Sequence, residues 1–230
     1  MNLIVIAGAL FLGLVASSSA QAQTFGSSVP AQVQTRVKAD IEFIGSVTGS
    51  APSALHQKIF GKIDGATYVN WFQSRIDTFE YDQDRTDGAV AYVDPSQSDS
   101  TMFVTKYFVN NNQPQIARLL VMFHEARHTE AASGFWTHVM CPVPFLDDNG
   151  KDMVSIFTGI KLEGKPGCDS TAIGAYGSSL ILLKNISLSC TSCTSKVKMD
   201  AGIYADDQVG RLINPSAKQK IRQDLYATAP

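Results

Sequence analysis

The chain lacks charge of one dominant sign. Its 230 residues carry 19 Lys and Arg against 21 Asp and Glu, a formal net charge of −2. No basic stripe is present to follow a phosphate backbone, so nucleic acid is not an expected partner. Beyond the N-terminus no apolar run is long enough to span a bilayer, and no repeat of solenoid length recurs. Cysteine is scarce, with four residues, and Cys190-Thr-Ser-Cys193 has no second CxxC to pair with in a zinc ribbon. Histidine is equally scarce, with four in the whole chain.

What is present begins with MNLIVIAGALFLGLVASSSAQA. A short apolar core is followed by small polar residues and by Ala20-Gln21-Ala22, the A-x-A pattern of a cleaved leader. Residues 1–22 are therefore expected to be a signal peptide and 23–230 a single domain. Its expected location is secreted or periplasmic, with no stable membrane insertion after leader removal. An even cysteine count in an exported chain reads as disulfides. Of the three connectivities, Cys141–Cys168 and Cys190–Cys193 are favoured. Asn185-Ile186-Ser187 is a glycosylation sequon if the source is a eukaryote.

Val33, Val37, Ile41 and Ile44 recur at helical spacing over 31–46, and a shorter helix is expected at 52–60. Residues 23–60 could in principle serve as a removable pro-segment. From Ala66 to Val109, stretches rich in β-branched and aromatic residues alternate with DQDRTDG and DPSQSDS, which predicts a small antiparallel sheet. Pro114 suits a first helical turn, and QIARLLVMFHEARHTEAAS then runs without a breaker to Gly134, apolar nearly all round as in a buried helix. An irregular stretch over 135–167 precedes three further helices: one opening at Asp169, then 197–213 and 215–226. The expected class is α+β: a small antiparallel sheet, a buried central helix and a mostly helical C-terminal half.

On the central helix His124 and His128 are four apart and share a face, so both imidazoles can reach one ion. Neutral imidazoles suit Zn2+. Glu125 lies about 100° round from His124 and can take a proton from water held at the metal. Arg127 flanks the other side, with a structural role favoured over a substrate contact. Glu130 points away and is expected to pair with a basic residue or solvent.

His124-Glu125-Ala126-Arg127-His128 and the order of sheet then active helix resemble the zincin metallopeptidases. That resemblance implies a helix packed below a sheet whose edge strand holds a peptide or protein substrate, and a third metal ligand from a later segment. Two residues are candidates for that ligand. His138 lies ten residues past His128. Asp169, the favoured one, opens a helix whose small residues Ala172, Gly174, Ala175 and Gly177 would allow close approach to the HExxH helix. An aspartate followed by a Tyr-Gly pair resembles the aspzincin group, which implies Asp169 as third ligand. The competing role for Asp169 is a helix cap. Tyr176, and less favourably Tyr204, could donate a hydrogen bond to an oxyanion.

The expected function is an exported zinc metallopeptidase, with Glu125 and Tyr176 as catalytic residues. Two alternatives remain: a cell-wall amidase or endopeptidase sharing the same metal site, and a non-catalytic, disulfide-stapled binding protein.

Overall fold

A computed structural model describes residues 23–110 and 113–227; the expected leader lies outside them. The lead-in to the first helix is not loose. Thr24–Phe25 (β1) pairs parallel with Thr78–Asp82 (β2), and Phe25 stacks on Phe79 with centroids 5.4 Å apart. Ala31–Gly45 (α1) buries Val33, Val37 and Ile44, as their spacing requires. Asp40 on the same helix is buried, and Arg118 of the central helix donates to both its carboxylate oxygens at 2.7 and 2.6 Å. Stripping away 23–60 would leave Arg118 without its counter-charge and open the core. That segment is thus part of the fold and does not cover a cleft.

Ala54–Ile59 (α2) follows, and then the first departure from the sequence pattern. Gly65–Gln73 (α3) is a helix, not a strand. Tyr68, Trp71 and Phe72 stand three and four apart on its buried face, and Asp64 caps it by accepting from the Thr67 N–H at 3.0 Å. Aromatic content suggested a strand; spacing and the cap decide for a helix.

The sheet contains β2, Ala91–Asp94 (β3) and Ser98–Thr105 (β4), in the order β1-β2-β4-β3. Only β3 and β4 pair antiparallel, while β1–β2 and β2–β4 are parallel, so the expected antiparallel sheet is a mixed one. Burial explains the order. Met102 and Val104 of β4 are fully buried, which suits the interior, whereas β3 buries only Ala91 and takes the edge. Beyond β4 the chain turns into a short helix, Lys106–Asn110 (α4).

Gln115–Arg127 (α5) is the buried centre, with Pro114 at its N-cap. Phe123 stacks on Trp71 at 5.4 Å, with Phe60, Phe72 and Tyr68 around it. β3 and β4 pack on one side of α5; Ala175–Ser189 (α6) and Ser195–Val209 (α7) pack on the other. Pro215–Leu225 (α8) closes the helical half against α6. Between α5 and α6, Val139–Met140 (β5) and Pro166–Cys168 (β6) form a small antiparallel pair tied by Cys141–Cys168. Cys190–Cys193 is the second bridge, and both match the favoured connectivity. Two disulfides indicate an oxidising, non-cytoplasmic setting. Among the described residues no helix is long and apolar enough to cross a membrane.

Asn185 of the sequon is buried. Its Oδ1 accepts from the Ser53 N–H at 2.8 Å and its Nδ2 donates to the Ile181 carbonyl at 2.8 Å, leaving no access for a glycan.

Candidate metal centre

α5 stops earlier than the breaker-free sequence suggests. His128 is its C-cap, still right-handed at φ −68°, so His124 and His128 keep one face. The chain then winds through a 3₁₀ turn, Ala131–Trp136, in which Gly134, Phe135 and Trp136 adopt φ of 62°, 56° and 48°. Left-handed backbone at two aromatic residues costs about 1–2 kcal/mol apiece. Specific bonds hold it. Trp136 Nε1 donates to Glu130 Oε2 at 2.8 Å, and the Phe135 carbonyl accepts from His128 Nδ1 at 2.8 Å. This reversal carries His138 back over α5.

Three imidazoles then converge. The Nε2 atoms of His124, His128 and His138 are 3.1, 3.2 and 3.3 Å from one another. His128 is neutral at physiological pH, because burial, with the adjoining His138, pushes it down to about 4. Its Nδ1 faces a carbonyl, which can only accept, so the ring proton sits there and Nε2 presents a lone pair. His138 Nδ1 lies 2.9 Å from Asp169 Oδ1, which assigns its proton in the same way. Among the described residues the three Nε2 atoms thus face one another and no protein acceptor of another kind. Burial drives His124 well below its ordinary range as well, reinforced by His138 and His128. These three residues could hold a metal ion where their nitrogens meet. Nitrogen separations near 3.3 Å suit tetrahedral zinc with Zn–N of about 2.0–2.1 Å.

Asp169 is not in this nitrogen group, which revises its expected place as direct ligand. The helix expected to open at Asp169 begins at Ala175, with Gly174 as N-cap. From outside it, Asp169 Oδ2 accepts from the backbone N–H of Tyr176 at 2.9 Å and of Gly177 at 3.4 Å, while Oδ1 holds His138. The carboxylate thus acts as cap and as orienting partner together. Gly174 makes this approach feasible, since a Cβ there would lie 2.5 Å from Asp169 Oδ2.

Glu125 is buried with its Oε1 4.0 Å from His124 Nε2. Burial raises its carboxyl to about 8 against the opposing pull of Arg85 and the Val93 backbone. A cation among the imidazoles would favour the ionised form. These groups line a cleft of about 900 Å³, one wall of which is the edge strand β3, from Ala91 to Asp94. Phe157 and the start of β6 at Pro166 also line it.

Tyr176 lines the same cleft, its ring 4.3 Å from that of His124 and stacked at 4.6 Å on that of His138. Enclosure raises its hydroxyl above the ordinary tyrosine range, against the opposing effect of Arg211. The phenolic oxygen accepts from Arg211 Nη1 at 2.7 Å, which leaves its own proton to donate. Arg211 was not singled out from the sequence; Gly210-Arg211-Leu212 carries no motif. Only the bridge that sets Leu212 beside Asp169 brings it here.

Arg127 and Glu130 are scaffold. Arg127 donates from Nε and Nη2 to the Ile173 carbonyl and from Nη1 to Glu130 Oε1 at 2.6 Å. Arg75 reaches the same oxygen at 2.8 Å. Tyr204 stacks on Phe157 and does not line the cleft.

Comparison of the chain with protein-family models, with curated proteins and with solved structures returns no match.

Proposed function

We propose that the protein is an exported zinc-dependent hydrolase of peptide bonds, with His124, His128 and His138 as metal ligands and Asp169 orienting His138. One observation carries the reading: three imidazole Nε2 atoms converge within 3.1–3.3 Å of one another, with a buried carboxyl 4.0 Å away. Three imidazoles are a donor set that zinc takes in catalytic sites. When bound, the ion supplies Lewis-acid polarisation of a carbonyl and lowers the pKa of water. Glu125 accepts a proton from the attacking water and delivers it to the leaving nitrogen. Tyr176 donates its free proton to the oxygen that gains charge at the carbonyl. As the end strand of the sheet, β3 turns backbone groups away from β4 that could receive an extended peptide, as in strand addition.

The test is metal content and turnover of the chain from Gln23 onward. Purified protein should contain stoichiometric zinc and lose peptide hydrolysis on chelation. Glu125→Gln should keep the zinc and lose about 10²–10⁴-fold in kcat. Absence of stoichiometric metal, or full activity in Glu125→Gln, overturns the reading. Parallel digestion of protein and of peptidoglycan assigns the class of amide.

A further inference from the structure

Arg211 is a charged side chain with 4% exposure in the wall of the cleft. The backbone fixes it there: the Asp169 N–H donates to the Arg211 carbonyl at 2.9 Å, and the Ile213 N–H to the Asp169 carbonyl at 3.0 Å. Its own partners are neutral. Nη1 donates to the Tyr176 hydroxyl at 2.7 Å and to the Gly167 carbonyl at 3.3 Å, while Nε is buried without a hydrogen-bond partner. The other buried guanidinium, Arg127, is matched with Glu130, and the half-buried Arg118 with Asp40, both at 2.6 Å. Arg211 forms no such ion pair among the described residues. Asp207, four residues earlier, accepts from Gln208 Nε2 at 2.6 Å instead. Asp207 feels its charge from a distance but does not contact it, and a buried guanidinium without a direct ion pair presents a planar fork that matches a carboxylate.

Its position indicates which carboxylate. The Arg211 guanidinium carbon sits 4.6 Å from the centre of the Tyr176 ring, and that ring is 4.3 and 4.6 Å from the imidazoles of His124 and His138. One aromatic ring separates the cation from the ligand group. In a peptide, one residue, about 3.8 Å from Cα to Cα, separates the last amide from the terminal carboxylate.

We infer that Arg211 receives the free C-terminal carboxylate of a peptide, so that the bond cut is the last one. This rests on the peptidase reading and names its substrate class. In the step, the carbonyl carbon of the last amide gains the oxygen of water and its C–N bond breaks. Both protons of that water end on the leaving nitrogen, giving a shortened carboxylate and a free amino acid.

The experiment uses N-benzoyl dipeptides, each as free acid and as C-terminal amide. Calorimetry on zinc-loaded Glu125→Gln protein should show the acids binding about tenfold to a hundredfold tighter than the amides. Adding Arg211→Gln should abolish that preference, and Arg211→Lys should restore part of it. The unsubstituted enzyme should release the last residue from the acids and spare the amides. Equal binding of acid and amide, or binding of neither, overturns the assignment whether or not the arginine variants fold. Internal cleavage with equal binding removes the carboxylate receptor and leaves the peptidase standing. Acid preference with no cleavage of any peptide does the reverse.

Discussion

His56 is fully buried and His128 partly so, and burial brings both down to about 4. Their partners separate them. His56 Nδ1 faces the Gly61 carbonyl at 3.3 Å and its Nε2 faces the Tyr68 hydroxyl at 2.7 Å, one acceptor and one donor, so the neutral ring is complete. At the other site, Nε2 faces Nε2 three times, and Nδ1 of His124 has no hydrogen-bond partner of good geometry. Neither burial nor a depressed pKa marks a metal ligand. What sets the candidate ligands apart is that their Nε2 atoms face one another and not protein donors and acceptors of other kinds.

The largest effect expected from this contrast is on metal content. His138→Ala should lose stoichiometric zinc together with activity, while His56→Gln should keep both, as read by elemental analysis and turnover. Zinc loss in His56→Gln at intact fold would erase the distinction.

Next comes acid stability. The folded pKa of His56, near 4, lies below its ordinary 6.5. Between these values the unfolded chain takes up a proton that the folded chain refuses. Stability is therefore intact above pH 6.5 and falls as the pH drops towards 4, by about 3 kcal/mol from this residue. Denaturant titrations across that window should show a shallower loss in His56→Gln. Zinc-loaded wild type should fall at least as steeply as the metal-free form, because a ligated His128 refuses the proton just as the metal-free one does, and unfolding frees it to take one up.

The smallest effect is expected behind the ligands. Asp169→Asn should lower zinc affinity about 10–100-fold without abolishing binding, measured by competition with a chelator. Complete loss would put Asp169 among the ligands; no change would detach it from the site.

Local features with strong physical signatures were legible in the sequence. The i,i+4 spacing of His124 and His128 needs only a helix, and Glu125 follows from its angle on that helix. Both disulfides and most helices after the sheet also match. Asp169 was favoured over His138 because helical geometry cannot register the reversal at Gly134–Trp136, where two aromatic residues adopt a conformation that sequence disfavours. Asp169 looked like a ligand or a cap; it caps α6 from six residues before its first turn and orients His138 with its other oxygen. Aromatic content alone reads Gly65–Gln73 as a strand, whereas the spacing of Tyr68, Trp71 and Phe72 is helical. Arg211 was invisible, since its placement depends on a pairing between segments more than forty residues apart.

The Cys141–Cys168 bridge joins the two short strands that lead from His138 and into Asp169. A histidine and its orienting carboxylate, 31 positions apart in the chain, are thereby fastened by one covalent tie at their shared end. A newly made chain held among reducing thiols has every residue of the centre but not that fastening. The geometry of the candidate site is thus tied to the oxidation of two cysteines outside it, and so to the redox state of the compartment in which the chain folds.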